Sequence, residues 1–350
     1  MSVAAGAVVI TAAIVLFLNY FPDKPPASPQ AHSSAAALTS GPISGSLSAT
    51  VKDPRYPVYA EALTGNTLAL GSNAGNPKCA CGTYLWNIAT RKAAPVLPDP
   101  VSYGVDSIVF GPTGRLVVGD SNGSTYLWDT ATRTITATLS DPHSGGVNAV
   151  ALGADGTTLA AADDNGSTYI WDTSSRKVIA TLPDPHSSGL SSVAFGPGDR
   201  TVAVGDYNGD TYLWDIASRK ITATLTDPGS YGVDSVAFGP GGTILAAGDD
   251  NNNTYLWNVT SRSVVAVLTD PHSKGVSSVA FGPGGASLAA GDLNGSTYLW
   301  DIATRKVTAT LADPGSKGVC SIAFGPGYTT LATADYSGGA HLWRITAYKP

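Results

Sequence analysis

The seven tryptophans of the chain restrict its fold more than any other feature. Trp86, Trp128, Trp171, Trp214, Trp257, Trp300 and Trp343 follow at one interval of 42 residues and five of 43, and no tryptophan lies outside the series. A fixed period of that length marks a supersecondary unit that is copied along the chain and buries its apolar face only against its neighbours.

One copy shows what the unit is. Residues 276–281 read V-S-S-V-A-F, a short β run, and Gly282-Pro283-Gly284-Gly285 make a turn. Residues 287–291 (S-L-A-A-G) give a second strand, and Asp292-Leu293-Asn294-Gly295 a hairpin turn, since Asn-Gly accepts positive φ at little cost. Residues 297–300 (T-Y-L-W) and 306–311 (K-V-T-A-T-L) complete four strands, which make one propeller blade. The expected fold is all-β, a seven-bladed propeller of four-stranded blades over residues 45–350. Only 13% of residues are charged, which suits short strands and tight turns better than long exposed helices.

The literal Trp-Asp pairs at Trp128-Asp129, Trp171-Asp172, Trp214-Asp215 and Trp300-Asp301 make residues 45–346 resemble the WD-repeat family. That resemblance implies a binding platform and not an enzyme. Three features depart from the family pattern. Asn87, Asn258 and Arg344 replace the Asp after Trp. The family's His before the first strand is present as His143, His186 and His272, but Gly229, Gly315 and Val101 stand there in other blades. The family's hairpin Asp is Asn122, Asn165, Asn208 or Asn294. The family's His-Ser-Asp-Trp hydrogen-bond network is therefore expected to be incomplete, with blade stability resting more on apolar packing. The close likeness of the repeats and their low charge also resemble the propellers of bacterial, actinobacterial-type proteins, some of which carry such a domain beyond the membrane span of a serine/threonine kinase. No kinase signature is present here.

A propeller joins its last blade to its first or leaves strand edges open. Residues 48–54 (S-A-T-V-K-D-P) match residues 308–314 (T-A-T-L-A-D-P), and no tryptophan precedes the N-terminal copy. The N-terminal strand is thus expected to supply the fourth strand of the last blade.

Residues 2–21 are almost wholly apolar, long enough as a helix to span a bilayer, and end in Asn19, Tyr20 and Phe21. A transmembrane anchor at residues 1–21 is expected, with a cleaved secretory signal as the rival. A Pro/Ser/Ala-rich linker follows at 22–44. The expected location is a single-pass membrane protein with its propeller outside the cytoplasm, or a secreted one if the segment is cleaved. The net charge is -6 and no basic block occurs, which argues against nucleic acid as a partner.

Candidate chemistry is thin. Asp-Pro-His-Ser recurs at residues 141–144, 184–187 and 270–273, but a motif repeated around a ring fits turn structure better than a catalytic triad. Each Asp-x-Asn-Gly turn offers one carboxylate and one amide, short of the six to eight oxygens calcium takes. Cys79 and Cys81 lie in an insertion of the first blade, and a bridge from either to Cys320 is conceivable, with free thiols the default. The N-x-S/T sequons at Asn122, Asn165, Asn252, Asn258 and Asn294 arise mostly from the repeated turn. No phosphate loop or metal-ligand set is present, so no cofactor and no catalytic residue is expected.

Variation among the internal copies points to a binding face. Differences gather at the turn entering each blade with its first strand, and at the hairpin between strands two and three, which also includes Ser121, Asp164 and Asp250. Both connections emerge on one face of a four-strand meander. The candidate partner-binding residues there are Tyr103, Asp106, Asn148, Tyr207, Tyr231, Asp234, Lys274, Leu293, Lys317 and Tyr336. The expected partner of a monomeric propeller is a protein or peptide. The alternative is a small-ligand or glycan-binding propeller outside the cytoplasm, or a hydrolase with its site in the central channel.

Overall fold

The computed structural model describes residues 43–52, 57–73, 82–97, 99 and 102–347. The membrane segment expected at residues 1–21, the linker up to residue 42, and Cys79 and Cys81 lie outside them. Among the described residues no helix is long and apolar enough to cross a membrane.

Seven four-stranded antiparallel sheets follow one another along the chain. We number the blades by their tryptophans, from Trp86 in blade one to Trp343 in blade seven. Blade four is representative: Leu190–Phe195, Thr201–Asp206, Asp210–Asp215 and Lys220–Thr226, in that order from the inside outward. Blade one has the shortest outer strand, Lys92–Ala93, supplemented by an isolated bridge between Thr83 and Leu97. Blade seven runs Val319–Phe324, Thr330–Asp335 and Gly339–Ala347, and its fourth strand is Ile43–Lys52. That strand pairs antiparallel from Ile43 opposite Ala347 to Lys52 opposite Gly339. It takes in Ile43 and Ser44.

Apolar faces of successive blades supply the core. Tyr212, Trp214, Val193, Val202 and Val204 of blade four pack against Ala149, Ala160, Ala162, Ile170 and Leu182 of blade three, all buried. Small residues set the spacing. A Cβ at Gly119 would lie 2.9 Å from Val147 Cγ1 and 3.0 Å from Val150 Cγ1, so nothing larger than the alanine of blades three and seven (Ala162, Ala334) fits the repeat.

Polar side chains satisfy backbone groups that the sheets leave unpaired. Along the innermost strands, Ser107, Ser192, Ser235 and Ser278 accept the N–H of Val150, Val236, Val279 and Ile322 in the next blade at 2.9–3.2 Å. At the outer edge, Arg176, Arg219 and Arg305 donate to Thr136, Ile179 and Val265 carbonyls of the preceding blade at 2.6–2.8 Å. These ties limit the unpaired polar backbone at strand edges.

The family's network is incomplete, as expected: its histidine stands outside, and Trp343 donates to Thr333 at 3.2 Å. In blades two to six a different set of bonds takes its place. The indole N–H groups of Trp128, Trp171, Trp214, Trp257 and Trp300 donate at 2.6–2.9 Å to Asp99, Asp141, Asp184, Asp227 and Asp270. These aspartates belong to the Asp-Pro turns, and all are buried. The phenols of Tyr169, Tyr212, Tyr255 and Tyr298 donate to the following proline carbonyl at 2.5–3.1 Å. The serine of the turn reaches the hairpin carboxylate, as Ser102, Ser144 and Ser273 do to Asp120, Asp163 and Asp292. The hairpin acid therefore lies two positions before the asparagine compared with the family pattern.

The histidine of the motif takes no part in the network. His143, His186 and His272 are exposed at φ of 56–58°, and Gly229 and Gly315 stand at φ of 73° and 77°. The position calls for left-handed backbone, which glycine adopts freely and explains the exchange.

Burial is the main force on the Asp-Pro carboxyls. It pushes Asp99 up to about 7 and Asp141, Asp184, Asp227 and Asp270 up to about 8, against the opposing pull of the indole N–H. A folded pKa above the unfolded value favours folding fully below the unfolded pKa, and that advantage is lost as pH rises through the folded pKa. The midpoint of thermal unfolding is therefore expected to fall between pH 6 and pH 9. Asp227→Asn, which keeps an acceptor for Trp257 and cannot ionise, is expected to flatten that fall. Calorimetry across the range checks both, and a midpoint that rises toward pH 9 would contradict them.

Candidate binding face

The backbone joins the two variable turns. The N–H groups of Ser121, Asp164, Tyr207, Asp250, Leu293 and Tyr336 donate to Gly104, Gly146, Gly189, Gly232, Gly275 and Gly318 carbonyls at 2.9–3.2 Å. Hairpin and entering turn thus share one end of each of these blades.

The second residue of each innermost strand forms a ring at that end: Tyr59, Asp106, Asn148, Ser191, Asp234, Ser277 and Cys320. Four of the seven donate to a carbonyl of the next blade. Asn148 Nδ2, Ser277 Oγ and Cys320 Sγ donate to Leu190, Val319 and Val58 carbonyls of the next blade at 2.6–2.8 Å, and Ser191 donates to Val233. Cys320 is a fully buried free thiol in this role.

Asp106 and Asp234 depart from that pattern by placing carboxyls where the others place donors. Asp106 is fully buried, accepts Asn73 Nδ2 at 2.5 Å and the Ser121 hydroxyl, and is pushed by burial up to about 7. Asp234 is 2% exposed, and its Oδ2 makes no hydrogen bond. Burial and then neighbouring Asp250 hold its carboxyl well above the usual range.

Two tyrosines reach this acidic ground from other blades. Burial raises the Tyr207 phenol, and Asp234, Asp164, Asp106 and Asp250 raise it further. Tyr336 is raised by burial and then by Cys320, Tyr59, Asp234 and Tyr207. Its ring meets Tyr59 edge to face at 5.1 Å. Groups from six blades sense one another through these two phenols, which places both rings near the axis.

The ten residues expected to bind a partner divide by depth. Tyr231 (81% exposed), Tyr103, Lys274 and Lys317 stand out on the entering turns. Tyr207, Leu293 and Tyr336 are half-buried on the hairpins. Asp106, Asn148 and Asp234 are buried, and Asn148 is occupied by its bonds to Leu190 and Asp164. Sequence reasoning missed Tyr59 and Asn73, the blade-one members of the two rings. Aligning Val58-Tyr59 with Val105-Asp106 would have found the first.

The Asp-Pro-His-Ser side chains diverge: the aspartate faces Trp, the serine faces the hairpin carboxylate, and the histidine faces solvent. Asp163 Oδ1 is occupied by the Gly145 and Asn165 N–H groups at 2.9 and 2.8 Å, which is how such a turn closes on itself. The family model described as WD domain, G-beta repeat matches residues 133–172, 176–215, 219–258, 263–301 and 305–344, more than half of the chain. The chain belongs to the WD40-repeat family. No curated protein matches it. WD40 propellers are typically scaffolds without enzymatic activity that bind proteins or peptides. The five matched stretches run from the outer strand of blade two to the third strand of blade seven, and the rest of blades one and two has the same four-stranded form.

A buried carboxyl with an orphan oxygen works against stability, and such groups mark functional ground. Its raised pKa fixes the sign: the cost of Asp234 is small at pH 5 and grows as pH rises. Asp234→Asn is expected to raise the unfolding midpoint at pH 8 and to change it little at pH 5. A variant less stable at pH 8 would make Asp234 a purely structural group.

Proposed function

We propose that this WD40-repeat chain is a non-enzymatic platform that takes a protein or peptide partner on the face where the chain enters each blade. The observation that carries the reading is the exchange of blade-tying donors for carboxyls at Asp106 and Asp234, beneath a rim of exposed Tyr103, Tyr231, Lys274 and Lys317. Nothing in the blade framework requires those choices, because the other blades manage without them. Aromatic anchors among mixed charges are what protein interfaces use. The apolar run of residues 1–21 supports a membrane tether that carries a monomeric propeller outside a bacterial cytoplasm, with residues 22–42 as spacer. The pairing of Ile43–Lys52 along blade seven supports that strand as the closure of the ring.

One observation favours a second reading. Asp106, Asp234, Tyr207 and Tyr336 gather at the axis, which suits a small polar ligand in the central channel.

Affinity capture with the full chain separates the two. The comparison is a rim variant (Tyr103, Tyr231, Lys274 and Lys317 to Ala) with an axial variant (Asp234→Asn with Tyr207→Phe). The rim variant is expected to lose a protein bound by the parent, with at least about a tenfold drop in affinity. Retention by the rim variant and loss by the axial one would support the small-ligand reading. For closure, removal of residues 43–52 is expected to lower the unfolding midpoint by several degrees, and an unchanged midpoint would exclude that strand as the clasp.

A further inference from the structure

Blade seven contains a polar cluster that the other blades lack. Its third strand carries His341 where the others carry Tyr84, Tyr126, Tyr169, Tyr212, Tyr255 and Tyr298. His341 is fully buried, with Nε2 3.1 Å from Asp335 Oδ2 and Nδ1 3.1 Å from Thr50 Oγ1. Hairpin carboxylates elsewhere face the turn serine, whereas Asp335 faces this imidazole. Its Oδ1 is held by the Ser337 and Gly339 N–H groups at 2.6 and 3.1 Å. Asp313 takes the Thr333 hydroxyl on Oδ1 at 2.8 Å, and its buried Oδ2 makes no hydrogen bond. One donor atom from each of Asp313, Asp335 and His341 lies within 4.8 Å of the other two.

A second observation comes from the adjoining blade. Glu61 occupies the position of Ile108, Val150, Val193, Val236, Val279 and Ile322. It is 3% exposed, and neither oxygen makes a full hydrogen bond, although the Ala323 N–H lies close enough to favour its charge. Asp313 acts on it electrostatically. Three carboxyls, Glu61, Asp313 and Asp335, thus share dry surroundings, and the one ion pair recorded there among the described residues is that of Asp335 with His341. A cation placed among them would satisfy carboxyl oxygens that burial leaves without a hydrogen bond.

We propose that blade seven holds a zinc ion between the carboxylates of Asp313 and Asp335 and Nε2 of His341. One imidazole with two carboxylates suits zinc, whereas calcium and magnesium favour oxygen-only sets. The other atoms of each ligand are already engaged: His341 Nδ1 lies 3.1 Å from Thr50 Oγ1 and would carry the donated proton with Nε2 on zinc, Asp335 Oδ1 accepts two backbone N–H groups, and Asp313 Oδ1 accepts Thr333. Such outer partners fix tautomer and geometry in metal sites. Three protein donors leave a further position for water. Thr50 belongs to the N-terminal strand, so the ion also steadies the contact between the two ends of the folded chain.

The test uses the full chain purified from zinc-supplemented cells, with metal content by mass spectrometry and thermal unfolding with zinc chloride or a chelator. His341→Tyr is the informative variant, because it restores the residue of the other blades and Pro314 supplies a carbonyl where Pro142 serves Tyr169. Asp313→Asn is the second. The parent is expected to carry about one zinc per chain and to lose thermal stability with chelator. Both variants are expected to keep the β spectrum, drop zinc at least about tenfold and become insensitive to chelator. A parent without zinc whose midpoint does not move with zinc chloride would overturn the proposal, as would zinc retained by His341→Tyr.

Discussion

A buried aspartate that accepts an indole N–H is the contact on which each blade from two to six depends. It joins the turn that follows one outer strand to the third strand of the next blade, so each bond spans the seam between neighbouring blades. A single hydrogen bond to a carboxyl that burial holds near neutrality contributes only about 0.5–1.5 kcal/mol, but its repetition ties neighbouring blades together. The pair also costs desolvation, seen in carboxyls pushed up to about 8, which the indole N–H only partly opposes.

Much of this was legible in the sequence because it repeats. The interval between tryptophans gave blade number and strand count, and the Asn-Gly turns gave the hairpins. Polar pairings were less legible. Asp141 and Trp171 are 30 residues apart, and no periodicity tells which acceptor an indole will choose. The exchange of His272 for Gly315 looked like loss of a network member, when the position only requires left-handed backbone. Candidate-site depth was hidden for a similar reason. Tyr231 and Asp234 are three residues apart, yet one is 81% and the other 2% exposed, because the bulge after Val233 turns the chain from rim to axis.

Blade identity in this ring is carried by few substitutions on a nearly constant frame. At the axis, Asn, Ser and Cys serve the frame by donating to the next blade, and Asp106 and Asp234 do not donate in that way. In the core between blades, Glu61 is the exception among branched aliphatics. On the third strands, His341 is the exception among tyrosines. Each exception is polar, buried and energetically unfavourable by itself, and each lies where blades meet.

The antiparallel pairing of Ile43–Lys52 with the third strand of blade seven also fixes where these two strands start and finish on the sheet. Lys52 lies opposite Gly339, next to the hairpin that bears Tyr336, while Ile43 lies opposite Ala347 at the far end of the same sheet. Ile43 and Ala347 therefore lie at the end of the sheet opposite the Tyr336 hairpin, so the paired strands begin and finish away from the tyrosine-rimmed side.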